Sequence, residues 1–424
     1  MSGPTATNKR DWTQPTRALP LPPRYELSLV SLLSTLLVAV SFFTTNRIAT
    51  TSIWYPLDGY DHHRYIEMAT GNPFGFHLAP FCWRILDPLI VKLQPFGFEA
   101  GFLWVTLISL WLCGIIVYYL TKAAGFLPVY GLFNLVLFFS LGWVIKQNVF
   151  DFWLPDALGY LFVLAAIYAI YKKLDLLFVI LLAVGVLAKE SVCFVAPLYY
   201  TLNATKVLDL KLLRRTLLFA IPALLALLLV RLGIPQLNGD PAYMAEISQK
   251  FRLVTEYEAV PYSLTDLFRT IGMDRLQALT PYNVGLRYLI FPLGVTLLAL
   301  PFFAVKQNAK LLIRFAPYLV LVYAQLLFAI NTERLVALAF PPLLLMSATG
   351  IRNLMSRLNL NPIYALALPG ALFVLGTLSL DYEWFYLSIY VQIVLCLLFL
   401  VGMGVLAIGK YRQNRRGGQI ERTA

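Results

Sequence analysis

Charged residues are scarce in this chain: Asp, Glu, Lys and Arg make up 13% of 424 residues against 59% hydrophobic, and the mean hydropathy is +0.71. That balance excludes a water-soluble globular enzyme, because too little polar surface exists to cover a body exposed to water on all sides. Histidine is rarer still, and His62, His63 and His77, the whole complement, fall in one short stretch. Cys82, Cys113, Cys193 and Cys396 are scattered without CxxC spacing, so they define neither a disulfide framework nor a thiolate metal site. No P-loop, GxSxG, HExxH or dinucleotide fingerprint occurs, which argues against a nucleotide sugar taken from the cytoplasm as a substrate. The amino-terminal 1–25 is polar, proline-containing and basic, and it lacks the apolar core and small-residue cleavage pattern of a secretory signal. A short disordered cytoplasmic tail is expected there.

What the chain has in abundance is apolar runs of the roughly 20 residues needed to cross about 30 Å of hydrocarbon. About twelve are read, beginning near Glu26, Ala100, Phe126, Pro155, Leu174, Ser191, Leu212, Val284, Leu311, Leu335, Asn361 and Glu383. The expected fold is therefore all-α, a polytopic transmembrane bundle over 26–409 with a basic cytoplasmic tail at 410–424. Placing both termini inside puts 21 of the 34 Lys and Arg on the inner segments with only five acidic residues. This bias is the positive-inside signature, so the net charge of +12 is a topology signal before it is a partner signal. No nucleic-acid partner is implied, and anionic headgroups are expected to contribute. The outer side then owns a loop at 45–99, the turn at Lys146 to Asp156, the AKES turn at Ala188 to Ser191, a long segment at 235–283, the NTER turn at Asn331 to Arg334, and DYEWFY at Asp381 to Tyr386. Within the long segment, YMAEISQKFRLVTEYEAV and SLTDLFRTIGMDRL have apolar residues at helical spacing, which predicts short helices lying at the interface.

The conspicuous polar island is Trp54 to Lys92, WYPLDGYDHHRYIEMATGNPFGFHLAPFCWRILDPLIVK, which gathers Asp58, Asp61, Glu67 and Asp87 with all the histidines. Asp58 and Asp61 are candidates for a general base or a metal ligand, against the alternative of loop carboxylates paired with Arg64. His62 and His63 would join Asp58 around a divalent ion, although no third well-spaced ligand is apparent. Arg84 is suited to gripping a phosphate, or else to a salt bridge with Asp87 or an interfacial anchor. Asp156 opens an apolar run at a helix N-terminus, where capping alone explains it. Lys189 and Glu190 interrupt two apolar runs, and such charges are either a functional site or a structural ion pair. Glu333 and Arg334 pose the same choice, with Arg231, Arg269 and Arg287 as weaker versions.

The run DGYDHHRYIEMA followed by APFCWRILDPLI resembles the first outer loop of polytopic glycosyltransferases of the GT-C superfamily. The matching positions are Asp58, Gly59, Tyr65 and Ala69, then Arg84, Ile85, Leu86 and Pro88; Asp87 stands where that element carries Tyr. The loop is more loosely similar to that of PIG-V-like and PIG-M-like mannosyltransferases. The resemblance implies a lipid-linked sugar phosphate as donor and an acidic residue of this loop as catalytic base. It implies transfer from a polyprenyl-phosphate sugar to an extracytoplasmic glycan, lipid or protein, with Asp58 or Asp61 as base and Arg84, Arg334 and Lys189 on the donor phosphate. It also implies a second acidic residue at an outer loop, Asp156 or its neighbour Asp151, and Glu190, Glu333, Tyr65 and His62 are further secondary positions. A bacterial inner membrane fits, as does the endoplasmic reticulum. The rival classes are a transporter or lipid-linked-glycan flippase, whose buried charges would line a path, and a non-catalytic assembly subunit.

Overall fold

The computed structural model describes residues 23–52, 55, 61–206, 208–251, 262–329, 332–378 and 387–420, and every regular element among them is helical. Asp58 and Gly59, most of the expected amino-terminal tail, Asn331, and the DYEWFY segment at Asp381 to Tyr386 lie outside the described residues.

Helix α1 (Pro23–Thr44) leads to two short helices, α2 (His62–Thr70) and α3 (Leu86–Leu93), and then to α4 (Phe98–Ala123), which packs against much of the first half. After it come α5 (Pro128–Phe139), α6 (Lys146–Phe150), α7 (Asp156–Tyr171), α8 (Asp175–Gly185), α9 (Ala196–Asn203) and α10 (Leu210–Gly233). The segment that sequence places outside contains α11 (Pro241–Phe251), then α12 (Leu264–Leu267) and α13 (Met273–Gln277) around a π-helical turn at Phe268–Gly272. A second π-helical stretch, Asn283–Ile290, precedes α14 (Phe291–Leu293), α15 (Val295–Ala299) and α16 (Val305–Ala324). The chain ends with α17 (Thr332–Ala337), α18 (Phe340–Arg357), α19 (Ala367–Leu378) and α20 (Ile389–Ile420).

Among the described residues, five helical stretches are long and apolar enough to cross a membrane: Tyr25–Thr44, Phe98–Ala123, Leu210–Gly233, Val295–Leu327 and Ile389–Gln413. Several runs that sequence reads as spans are shorter helices. The 16 residues of α7 extend about 24 Å and the 11 of α8 about 17 Å at 1.5 Å per residue, short of the hydrocarbon thickness. The run from Ser191 is divided between a 3-10 turn, Glu190–Val195, and the eight-residue α9. Lys189, extended at φ −156° and ψ 126°, separates the 3-10 turn from the end of α8. The basic tail is helical as well, since α20 continues through it to Ile420 and Lys410 donates to the Asn359 carbonyl at 2.6 Å.

Between helices of this apolarity, burying hydrocarbon gives little net drive in a membrane, and close approach at small residues takes its place. A Cβ built on Gly114 of α4 would meet Phe139 of α5 and Ser34 of α1, both at 2.6 Å, and one on Gly131 would meet the Tyr118 ring at 2.7 Å. The tightest approach is in the second half. A Cβ on Gly350 of α18 would stand 1.9 Å from the Leu300 carbonyl oxygen.

The packed helices have two unlike ends. At one, Lys122 of α4 reaches Glu26 of α1, and Arg215 of α10 reaches Asp175 of α8. At the other lie the C-terminus of α1, the N-termini of α4 and α7, and the turn after α8, joined by Ile48 N–H to Phe150 O at 2.8 Å, Trp153 Nε1 to Ile48 O at 2.6 Å, and Leu86 N–H to Leu187 O at 3.0 Å. The described part of the polar island, from Asp61 onward, sits at this second end.

Gly350→Ala is expected to lower the stability of the purified protein by about 1–3 kcal/mol, read as a lower melting temperature in detergent. Gly370→Ala, where a Cβ meets nothing within 4 Å, should leave melting unchanged or raise it, as a helical Gly→Ala change does. Equal melting of the two variants would show that the Gly350 contact does not control the packing.

Candidate functional site

The floor of the polar end is the turn Phe150 to Asp156, every residue of which is buried. Trp153 is fully enclosed, stacked on Phe152 at 4.6 Å and close to Phe102 of α4, and the Phe152 carbonyl accepts from Thr106 Oγ1 at 2.9 Å. This rigid turn carries an acid at each end of its DFWLPD sequence, Asp151 and Asp156, both at most 3% exposed.

Asp156 is the first residue of α7, and Pro155 at the cap position offers no side-chain hydrogen bond. Its carboxylate is not used as a cap. Lys189 Nζ pairs with Oδ1, and Arg334 Nε stands 3.7 Å from Oδ2. Room for the lysine comes from Gly159, three residues along the same face of α7, where a Cβ would lie 3.3 Å from Lys189 Cβ and 3.4 Å from its Cδ. The same guanidinium reaches across to the loop acid, with Arg334 Nη2 donating to Asp61 Oδ2 at 3.0 Å. Asp61 precedes α2 without capping it, so its side chain is committed to Arg334, 273 residues away.

A second pair adjoins the first. Arg84 grips Glu190 with two parallel bonds, Nε to Oε2 at 2.9 Å and Nη2 to Oε1 at 2.5 Å, and donates to the Tyr65 hydroxyl from Nη1 at 3.2 Å. This fork-on-fork geometry is the strong form of a guanidinium–carboxylate contact. Burial would raise the Glu190 carboxyl, but Arg84 outweighs it and holds the group down at about 2. Lys189 and Glu190 therefore do not neutralise each other. The extended backbone at Lys189 sends adjacent charges to different partners, and Arg84 pairs with Glu190 in place of Asp87.

Two acids remain without cations. Asp87 is 1% exposed and its Oδ1 has no hydrogen-bond partner among the described residues; burial, reinforced by the Asp156 charge, raises its carboxyl well above the usual range. Asp151 also has a buried Oδ1 without a partner among those residues, and burial pushes it up to about 8, with Arg334 opposing and Asp61 and Asp156 adding to the rise. A carboxyl in such a place is neutral through most of the physiological range, since an ionised one would be left without compensation.

The structure thus brings Asp61, Arg84, Asp156, Lys189, Glu190, Arg334 and Tyr65 into one polar cluster. It places others elsewhere. Glu333 turns to Arg287 at 3.4 Å, away from the site. His62 is buried with Nε2 3.0 Å from the Tyr55 carbonyl and its ring stacked on Tyr55, and burial, then the neighbouring His63, lowers it to about 4. That environment holds a neutral, structural imidazole. Among the described residues no three His, Cys, Asp or Glu side chains are grouped to hold a metal ion. Sequence reasoning passed over Gly159 and Trp153. The only signal for the glycine was its spacing of three from Asp156.

Asp156→Asn leaves Lys189 buried without its carboxylate, and removing one partner of such a pair costs about 3–5 kcal/mol. Poor recovery or a much lower melting temperature is expected, and melting like the wild type would show that the pair contributes little. Asp151 gives a pH signature of known sign. Its folded carboxyl is raised from 3.8 to about 8, so stability present at acid pH is lost as pH rises across that window. Asp151→Asn should match the wild type most closely near pH 5 and exceed it increasingly toward pH 8, measured by melting temperature; parallel profiles would contradict the assignment. Comparison of the sequence with protein-family models gave no match, and comparison with curated proteins gave none either.

Proposed function

We propose that the chain is an integral-membrane glycosyltransferase of GT-C architecture that moves a sugar from a polyprenyl-phosphate donor to an acceptor hydroxyl on the extracytoplasmic side, its basic end facing the cytoplasm. The observation that carries the reading is the meeting of Asp61 with a cluster that holds three buried or half-buried cations. Asp61, from the segment that resembles the GT-C loop, is bonded to Arg334, and Arg84 and Lys189 act with Arg334 on the same carboxylate, Asp156.

In the reaction, the acceptor oxygen attacks the anomeric carbon and loses its proton to Asp58 or Asp61. The bond from that carbon to the phosphate oxygen breaks with its electron pair, releasing a prenyl phosphate, and a direct displacement inverts the anomeric centre. Phosphate is a good leaving group when cations meet its growing charge, so fixed guanidinium groups replace a strong acid. Asp61 already accepts from Arg334, which makes Asp58 the favoured base and Asp61 the group that aims the guanidinium. The fork that Glu190 fills on Arg84 has the spacing that two phosphate oxygens need. Glu190 and Asp61 are the more exposed members of their pairs, at 35% and 25% of the side chain, and so mark the side from which a donor arrives. The prenyl chain would lie along the apolar helices. Membership of a twelve-span bundle and residence in a bacterial inner membrane belong to the same proposal.

Reconstituted in proteoliposomes with a prenyl-phosphate-linked sugar and a mixture of glycan and lipid acceptors, the wild type is expected to release prenyl phosphate. Asp58→Asn should slow that release by about 10²–10⁴-fold, the range for loss of a positioned base, with unchanged melting temperature. Normal turnover in Asp58→Asn would remove it as the base. Movement of the lipid-linked sugar between leaflets with no bond cleavage would replace the transferase with the flippase reading.

A further inference from the structure

Arg84, Lys189 and Arg334 are each matched to a carboxylate, which leaves open what first attracts an anionic substrate. Arg231 differs. It lies in the last turn of α10, is exposed, and sits with Cζ 4.6 Å from the centre of the Trp83 ring. It forms no hydrogen bond or ion pair among the described residues. A guanidinium over a ring face gains cation–π energy without using a hydrogen-bond acceptor, so its N–H donors remain available to an anion.

A span-end arginine beside a tryptophan is also the ordinary interfacial anchor, and the helix C-terminus itself favours a cation. The surroundings here are more organised than an anchor needs. The indole N–H of Trp83 is turned inward to the Ile234 carbonyl at 3.1 Å, and the ring meets Tyr262 edge-on at 5.5 Å. Tyr262 is pinned in turn by reciprocal bonds with Gln236, Tyr262 N–H to Oε1 and Nε2 to the Tyr262 carbonyl, both at 3.0 Å. Trp83 directly precedes Arg84 in the chain. Tyr262 and Cys193 both lie within the fields of Arg231 and of Glu190. Trp83 thus carries Arg231 on its ring, while its chain neighbour Arg84 is bonded to Glu190.

We propose that Arg231, seated on Trp83 and flanked by Tyr262, is a receiving site for a lipid-borne phosphate monoester at the rim of the Arg84–Glu190 pair. The position suits such a ligand: an apolar span below for the chain and a guanidinium with open donors above for the phosphate. Passage inward needs the phosphate to take the Arg84 fork from Glu190. The inference deepens the transferase reading and rests on it only for the identity of the lipid.

The test measures equilibrium binding to the full-length protein in nanodiscs of neutral lipid, with farnesyl phosphate, farnesol, dioleoyl phosphatidic acid and inorganic phosphate as probes. Farnesyl phosphate is expected to bind at least tenfold more tightly than farnesol or inorganic phosphate, and Arg231→Gln to remove that advantage while leaving melting temperature and farnesol binding unchanged. Trp83→Phe, which keeps a weaker ring face, should fall between the two. Equal farnesyl phosphate binding by wild type and Arg231→Gln overturns the site whatever the enzyme's donor, and so does failure of the wild type to bind either phosphate lipid. Arg231-dependent binding of phosphatidic acid without binding of farnesyl phosphate upholds the phosphate site and removes the prenyl donor instead.

Discussion

The guanidinium of Arg334 is the constraint on which the polar end of this protein depends. It bonds Asp61 at 3.0 Å and faces Asp156 at 3.7 Å, while Asp156 is also taken by Lys189. These groups come from a loop before α2, the start of α7, the turn after α8 and the short α17, regions with no shared local structure. In an apolar bundle an unmatched charge is far more costly than a displaced hydrophobic contact, so the arrangement that pairs all of them is strongly selected over neighbouring ones. The apolar surface of the spans is nearly uniform and specifies register poorly. Charge pairing supplies what it lacks.

The pairing is possible because the surrounding backbone is unusually determined. The turn from Phe150 to Asp156 is bonded to the segment after α1 and to α4, and Trp153 fills the space between them. Gly159 opens the channel for the Lys189 stem, and the Leu86 amide on the Leu187 carbonyl holds the RILDP element beside the AKES turn. Arg84 and Glu190 thus face each other as a result of main-chain contacts, and side-chain rotamer entropy is lost largely in building the fold rather than in binding. A site held in this way has its groups in place before a substrate comes, which is the condition under which fixed dipoles and charges lower a barrier.

Part of this was legible in the sequence. The long apolar runs at α1, α4, α10 and α20 announce themselves, and the two ends of the bundle, one basic and one mixed, follow from where Lys and Arg accumulate. The importance of Asp61, Arg84, Asp156, Lys189 and Arg334 was visible because ionisable groups are rare in apolar sequence. Their pairing was not. Neighbours such as Lys189 and Glu190 invite the assumption of a local ion pair, yet one extended residue sends them to partners 33 and 106 positions away. One helix break was hidden: the apolar run from Ser191 continues smoothly in composition past Val195, where the 3-10 turn gives way to α9. His62 misled in the opposite direction, since a histidine near acids looks like a ligand until its ring is found stacked in a closed aromatic pocket.

Counting charge across the cluster exposes the condition any anionic substrate meets. Arg84, Lys189 and Arg334 are balanced by Glu190, Asp156 and Asp61, and Asp87 and Asp151 contribute nothing while they stay protonated. Among the described residues these pairs are therefore close to neutral, and an incoming phosphate would not find an empty cationic pocket there. It has to replace a carboxylate, and only the half-exposed partners, Glu190 and Asp61, are in a position to move toward water. The deeply buried Asp156–Lys189 pair cannot give way without stranding a charge, so it serves as the fixed element against which the movable pairs exchange. In the proposed transfer, binding strength is then limited by the carboxylate displaced, which favours release of a phosphate-bearing product as much as capture of a phosphate-bearing donor. An open cationic pocket of the same size would hold that product far more tightly.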